Sequence, residues 1–424
     1  MMIVRNSQLV AATSMLMAVM VWAADAPAVE PIFRIRRNQP IRLAGQEVMP
    51  QYLDILGHHP TGGTLVKLSC EFQGTGRDTR EALVHILPSG RCILIATTLQ
   101  ESPAGRGIIR QVSAIPTLQP VNAVGHVLCK MELSETTDDA VTAVWNGNAL
   151  CPLPRGVQLN RVVLFNNGTV LFHDGPYIFQ MTAPGDRVVL VSKLSSARGV
   201  QSAIPLVSDT ERYAILPTRS RGIVICLDAQ TGSAQELSIG DAHFDPRMIL
   251  PGKSGQFILP DYNSAVLVDA KLQTVSPLLA EGRFEDLDGY LRRVEHVELG
   301  HDGEVFAMLQ MSPRNNPKIR YHSYVKQHNG RWYELARYQS TNHDRRFALL
   351  KDNRIVVART DENRCRQILC LQQRQEFMLF GENTRVAGMQ RPRLQDEGYP
   401  FANIIAVADA EGDEIAIVNL LSDN

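Results

Sequence analysis

Apolar residues in this chain come in short alternating runs, parted by turn residues rather than joined into helix-length stretches. "VVLFNNGTVLFHDG", residues 162–175, shows the unit. Val162 to Phe165 and Thr169 to Phe172 are β-prone, and Asn167-Gly168 between them is a strong hairpin signal, because glycine takes positive φ without steric cost. The same shape recurs with turns at Ser89-Gly90, Gly222, Gly255, Asp302-Gly303, Asp352-Asn353 and Glu411-Gly412. Helical periodicity is nearly absent. "LDGYLRRVEHVEL", 287–299, is the best helical candidate, and it reads equally as a loop running into a strand.

A second signal follows the central hairpins. Asp228-Ala229-Gln230-Thr231-Gly232 comes after "GIVICL", and Asp269-Ala270-Lys271-Leu272-Gln273-Thr274 comes after "SAVLV". Comparable turns recur at about 40 to 60 residues, close to the ~40–50 of four-stranded propeller blades. A blade is one twisted sheet that cannot bury both faces alone, so blades stack in a ring. The chain is therefore expected to be all-β, a β-propeller of about seven or eight four-stranded blades over residues 51–424. The last hairpin, 403–420, is short of a full blade. Residues 24–50, with a strand inside Ile32 to Leu43, could complete it and close the ring. "VICLDAQTGSAQEL" resembles the Leu-Asp-Ala-x-Thr-Gly repeat of quinoprotein-like propellers, and "VLVDAKLQTVSPLL" is a weaker copy. In that family a Trp follows the Thr-Gly and docks onto the next blade; here Glu236 and Leu237 stand near that place. The resemblance implies a propeller and names no cofactor.

The ends change the picture of where the chain resides. Arg5, the uncharged apolar run Leu9 to Trp22, and small residues before Ala24 make the three-part pattern of a signal peptide over residues 1–23. The run is short for a membrane span. The mature chain is expected in the periplasm or outside the cell, with no stable membrane insertion after cleavage. Acidic and basic residues are interspersed and the formal charge is −1, which leaves no electrostatic footprint for nucleic acid. Hydrophobic content of 44% is ample for a packed interior. Seven cysteines, several inside apolar runs, read mainly as small buried hydrophobes. Export permits disulfides, with Cys129–Cys151 the first candidate pair and Cys365–Cys370 the second.

Candidate chemistry is sparse. His173-Asp174, His301-Asp302 and His343-Asp344 pair residues suited to metal ligation or acid–base work. In "HDG", however, Asp and Gly are also ordinary turn residues. Strand alternation further puts the first two pairs on opposite sides of a ring. "EDLDGYLRRVE" offers Asp286, Asp288, Gly289 and Glu295 in calcium-loop spacing, but Phe284 occupies the first ligand position. The alternating "IFRIRRNQPIRL" places Arg34 and Arg36 on one face, with Arg37 on the other. Trp332, Tyr333 and Tyr338 are expected in outer-strand packing. Two classes of function remain. The first is an exported non-catalytic binding or scaffold module for a protein or glycan partner. The second is a propeller hydrolase or lyase acting on a carbohydrate or lactone, possible with a metal. His173, Asp174, Asp228 and Asp269 are the ligand-binding candidates.

Overall fold

A computed structural model describes residues 29–420 apart from 38, 73–78, 106, 115–119, 135–139, 194–205, 208–211, 218–221, 229, 232, 241–249, 252–254, 262–263, 280–282, 285–286, 301, 330, 339–346, 351–352, 361–365, 373–374, 382–383, 390–391, 395–403 and 410. The proposed signal peptide lies outside the described residues.

The first strand, β1 (Pro31–Arg36), is followed by blade 1: β2 (Ile41–Leu43), β3 (Gln46–His59), β4 (Gly63–Phe72), β5 (Thr79–Ile86) and β6 (Cys92–Thr97). Blade 2 holds β7 (Ile109–Ser113), β8 (Val127–Leu133), β9 (Ala140–Trp145) and β10 (Leu150–Pro152). A 3-10 turn, Leu159–Arg161, leads into blade 3: β11 (Val162–Leu164), β12 (Val170–Asp174), β13 (Tyr177–Met181) and β14 (Val189–Lys193). Blade 4 is β15 (Leu206–Val207), β16 (Tyr213–Pro217), β17 (Ile223–Asp228) and β18 (Ser233–Ser238). Blade 5 is β19 (Leu250–Pro251), β20 (Gln256–Pro260), β21 (Ala265–Asp269) and β22 (Thr274–Leu279). Blade 6 is β23 (Arg283–Phe284), β24 (Gly289–Leu299), β25 (Val305–Ser312), β26 (Tyr321–His328) and β27 (Arg331–Tyr338). Blade 7 is β28 (Ala348–Leu349), β29 (Ile355–Thr360), β30 (Arg366–Gln372) and β31 (Gln375–Phe380). Blade 8 is β32 (Arg393–Leu394), β33 (Ile404–Ala408) and β34 (Glu414–Asn419), with β1 as its outer strand. The fold is an eight-bladed β-propeller of four-stranded antiparallel blades, of which blades 1 and 6 carry a fifth strand. Of the helical candidate 287–299, Leu287 and Asp288 form a turn and Gly289–Leu299 is strand, the loop-into-strand reading, because β24 pairs with β25 with register shifts at Arg292 and Glu295.

Among the described residues the apolar interior is divided into several clusters. Each hydrophobic cluster straddles one seam between neighbouring blades. Leu128 and Val144 of blade 2 meet Phe172 and Met181 of blade 3, for example, while Leu171 and Ile178 on the other face of blade 3 meet Leu216 and Leu227 of blade 4. Both faces of each blade are thus apolar, as stacked sheets require.

The outer strands share a device the alternation does not reveal. In blades 1, 3, 5, 6 and 7 the outer strand carries a one-residue bulge, at Ile95, Val191, Leu278, Leu335 and Leu379. Every bulged residue is aliphatic and packs in the seam with the following blade. A bulge re-aims a side chain and increases local twist, and here it folds the outer strand's apolar residue back onto the neighbour. Blade 4 keeps regular register and uses Leu237, in the seam with Phe257 and Leu259, for the same contact. An aliphatic residue therefore docks the next blade in each of these blades.

Ring closure joins the two ends of the chain. Arg34 pairs with Ala416 and Arg36 with Glu414 across β1 and β34. The Glu414 carboxylate, 9% exposed, takes Arg34 Nη1 at 2.8 Å and Arg36 Nε at 3.4 Å. Arg37 falls just past the strand, so it spoils no apolar face; its Nε donates to Gln51 O. The propeller begins before residue 51, because β3 starts at Gln46 and pairs with β2.

The Cys129–Cys151 pairing does not form. Cys129 stands opposite Ala143 and Cys151 opposite Val144, so their side chains face opposite sides of blade 2 with β9 between them. Two strand spacings of ~4.8 Å put the chains about 9–10 Å apart, beyond the ~7 Å that a disulfide spans. Both thiols are free. Burial pushes Cys129 and Cys226 up to about 12, which makes them inert. Cys365 lies outside the described residues.

Candidate functional site

The four sequence candidates do not converge. Strand direction alternates across a blade, so the end of a second strand and the end of a third strand open on opposite faces of the ring. Asp174 ends β12, the second strand of blade 3, whereas Asp228 and Asp269 end β17 and β21, the third strands of blades 4 and 5.

Asp228 and Asp269 hold equivalent turns. The Asp228 carboxylate accepts from the amides of Gln230 (2.9 Å) and Thr231 (3.4 Å), and from Arg212 Nε (3.1 Å) and Nη2 (2.7 Å). Arg212 and these amides hold its carboxyl below the usual carboxylate range. Asp269 accepts from the Leu272 amide at 2.9 Å and from Gln256 Nε2 at 3.4 Å. Each carboxylate is occupied in closing its own hairpin, the Asx-turn role that Asp serves locally.

His173 and Asp174 separate across the sheet. Asp174 is 75% exposed and meets Arg161 Nη1 at 3.6 Å. His173 is 1% exposed, in the face that packs between blades 3 and 4, and neither ring nitrogen has a hydrogen-bond partner. Burial, with Arg161 beside it, pushes the imidazole down to about 4. The pair is therefore not a His–carboxylate dyad.

A dyad of that kind does occur, on β24. His296 Nε2 donates to Glu298 Oε1 at 2.9 Å, and the ring packs edge-on against Phe347 at 4.7 Å. Arg293 stands 3.7 Å from Glu295, whose side chain is 3% exposed, and Arg292 donates to Ser312 Oγ at 3.0 Å. Glu295 is thus a strand residue paired to arginine and no part of a calcium loop. Asp286 lies outside the described residues. The i, i+2 spacing of His296 and Glu298 in "RVEHVEL" was the readable signal, once the segment is taken as strand.

One face gathers histidines. The turns after β3, before β8 and after β11 are tied blade to blade: Thr61 Oγ1 donates to Ala123 O (3.0 Å), Asn122 Nδ2 to Phe165 O (2.7 Å), and the Ala123 amide to Asn166 Oδ1 (2.9 Å). His85 Nε2 donates to Gly62 O at 2.7 Å, and His58 Nδ1 bonds Thr64 Oγ1 at 3.0 Å. Close approach is required here: a Cβ on Gly62 would stand 1.9 Å from Asn122 O. Among the described residues no group of three His, Cys, Asp or Glu could hold a metal ion. Asp302 lies in the turn between β24 and β25; His301, His343 and Asp344 are outside the described residues. Trp332, Tyr333 and Tyr338 lie on the outer strand β27, with Tyr338 Oη bonded to Glu376.

The fold and these sites define an eight-bladed propeller with no single catalytic constellation among the described residues. No protein-family model matches the sequence, and no curated protein does. Among solved structures the chain is similar to dipeptidyl peptidase 4 of Porphyromonas gingivalis, at 12% identity over 88% of this chain and 60% of that one, with a TM-score of 0.47. It is also similar to the WD40 domain of SCAP from fission yeast, at 11% identity over 93% and 98% with a TM-score of 0.39. Dihydro-heme d1 dehydrogenase NirN in complex with DHE follows at 12% identity over 76% and 65%, TM-score 0.43. The propeller assignment rests on the strand pairing, and these distant likenesses carry nothing about activity. No described helix is long and apolar enough to cross a membrane.

Proposed function

We propose that the chain is an exported, non-catalytic propeller that acts as a binding or scaffold module for a protein or glycan partner in the periplasm or outside the cell. The observation that carries this reading is an apolar ridge on blade 3. Tyr177 is 39% exposed and Leu190 52%. Phe172, Phe179 and Leu190 occupy one cross-strand row, with Phe172 and Phe179 stacked at 5.4 Å and Tyr177 tilted on Phe179 at 6.4 Å. Lys193 sits over the Tyr177 ring at 5.6 Å. The ridge lies on the blade 2 side, where the outer strand β10 is only three residues long. Aromatic and aliphatic side chains on a rigid frame, with one cation at the rim, suit a partner anchor.

The test is binding by the mature protein against glycan arrays and against envelope proteins, with a photo-crosslinker near position 190. Leu190→Lys and Tyr177→Ala should each weaken the recovered interaction at least tenfold; equal binding by both variants would discard the ridge. Export is tested separately, by the intact mass of the chain recovered from cells, which should begin at Ala24.

A second reading, a hydrolase or lyase on a carbohydrate or lactone, is favoured by the His296–Glu298 dyad alone. Turnover on a lactone or glycoside panel that disappears in His296→Asn would replace the first reading with this one.

A further inference from the structure

Three buried hydrogen-bonding atoms at one end of blade 3 have no partner: Arg161 Nε and both ring nitrogens of His173. They belong to neighbouring side chains. Arg161 ends the 3-10 turn one residue before Val162, the cross-strand partner of Phe172, and its guanidinium charge acts on the His173 imidazole. Only one edge of that guanidinium is used: Nη1 turns outward to the exposed Asp174, while Nε turns inward. His173 shares its row with Ile178, in the seam between blades 3 and 4. Apolar neighbours satisfy none of these atoms, and a buried polar group without a partner bears its full desolvation cost.

We propose that Arg161 and His173 form a binding site for a small oxyanion of the carboxylate type. The Arg161 Nε–H and one His173 N–H both donate, and an oxyanion accepts from both. Its charge balances the inward edge of the guanidinium, which a water molecule does not. The neighbouring guanidinium disfavours a cation. Asp174, screened by water on the outer edge, biases the site toward singly charged anions. The Arg161 side chain is 25% exposed and marks the way in from the face where β12 ends.

The experiment is thermal melting of the full mature chain at pH 7 and constant ionic strength, with chloride replaced stepwise by formate, acetate or phosphate. The wild type should show a saturable rise with formate or acetate, and a smaller one with phosphate. Arg161→Met and His173→Leu should lose it; His173→Leu guards against a folding failure, because it fills the same seam with an apolar side chain. In parallel, the His173 ring resonances should shift with formate at the same half-saturation. No saturable rise in the wild type, or an equal rise in His173→Leu, overturns the site.

Discussion

Blades 3 and 4 share one seam and solve the same problems differently. At the outer strand, blade 3 breaks register to turn Val191 inward, whereas blade 4 keeps register and uses Leu237. At the strand ends, Asp228 of blade 4 is tied to Arg212 and to two main-chain amides. Blade 3 leaves Asp174 in water and buries His173 beside Arg161 with nothing to bond. The same residue types therefore end in opposite conditions. In blade 4 the polar groups satisfy one another and the turn is structural. In blade 3 they do not, and that is where an anion or a proton would be felt.

The largest effect expected is from packing. Leu237→Ala, at a position 8% exposed, should cost about 3 kcal/mol in urea unfolding; Val191→Ala, only half-buried, should cost about 1 kcal/mol. Equal losses would mean that the bulge docks blade 3 as firmly as Leu237 docks blade 4.

Acid should act next, and on blade 3 rather than blade 4. His173 is held at about 4, below its ordinary 6.5. The unfolded chain therefore takes up the proton first as pH falls. The stability this neutral histidine contributes is whole above 6.5 and is lost as pH falls toward 4, by about 3 kcal/mol. His58, also pushed down to about 4 by burial and by His59, adds in the same window. Urea midpoints at pH 7, 5.5 and 4 should fall in the wild type and fall less in His173→Leu; parallel curves would remove His173 from the account.

The strand-end aspartates should separate more modestly. Asp228→Ala loses the turn bonds and should cost about 1–2 kcal/mol, while Asp228→Asn keeps an acceptor for the Gln230 amide and should cost less. Asp174→Ala should stay within about 0.5 kcal/mol. Differential scanning calorimetry of the three variants ranks them directly, and a loss at Asp174 equal to that at Asp228 would break the contrast. The smallest effect is His173→Leu at pH 7 in chloride, where exchanging an unpartnered polar group for an apolar one should be neutral or stabilising by up to about 1 kcal/mol.

Much of the frame was legible before the structure. The hairpins turn where glycine or asparagine allows positive φ: Gly168 at 92°, Gly303 at 83° and Asn353 at 63°. The Asp228 and Asp269 turns fall one blade apart, as their spacing in the chain indicates. The site was less legible. Alternation places His173 and Asp174 on opposite faces, yet both faces of blade 3 pack on a neighbour, and only the seam of Leu171 and Ile178 with blade 4 shows that His173 is enclosed while Asp174 is not. Arg212 and Arg161 become partners of the candidate residues through cross-strand register, which no local pattern around them announces. The aliphatic bulges escape alternation altogether, because the offset appears only where the next blade presses on the outer strand.

By itself, then, the sequence determined what main-chain sterics and period-two alternation control: strands, turns and their repetition into blades. The tertiary structure alone decided how many blades close the ring, that β1 completes the last one through Arg34, Arg36 and Glu414, and which polar side chains find partners. The reason is the range of the forces. A turn is settled within four residues, but a seam is settled by two sheets, and whether a buried histidine is satisfied depends on what the second sheet brings to it.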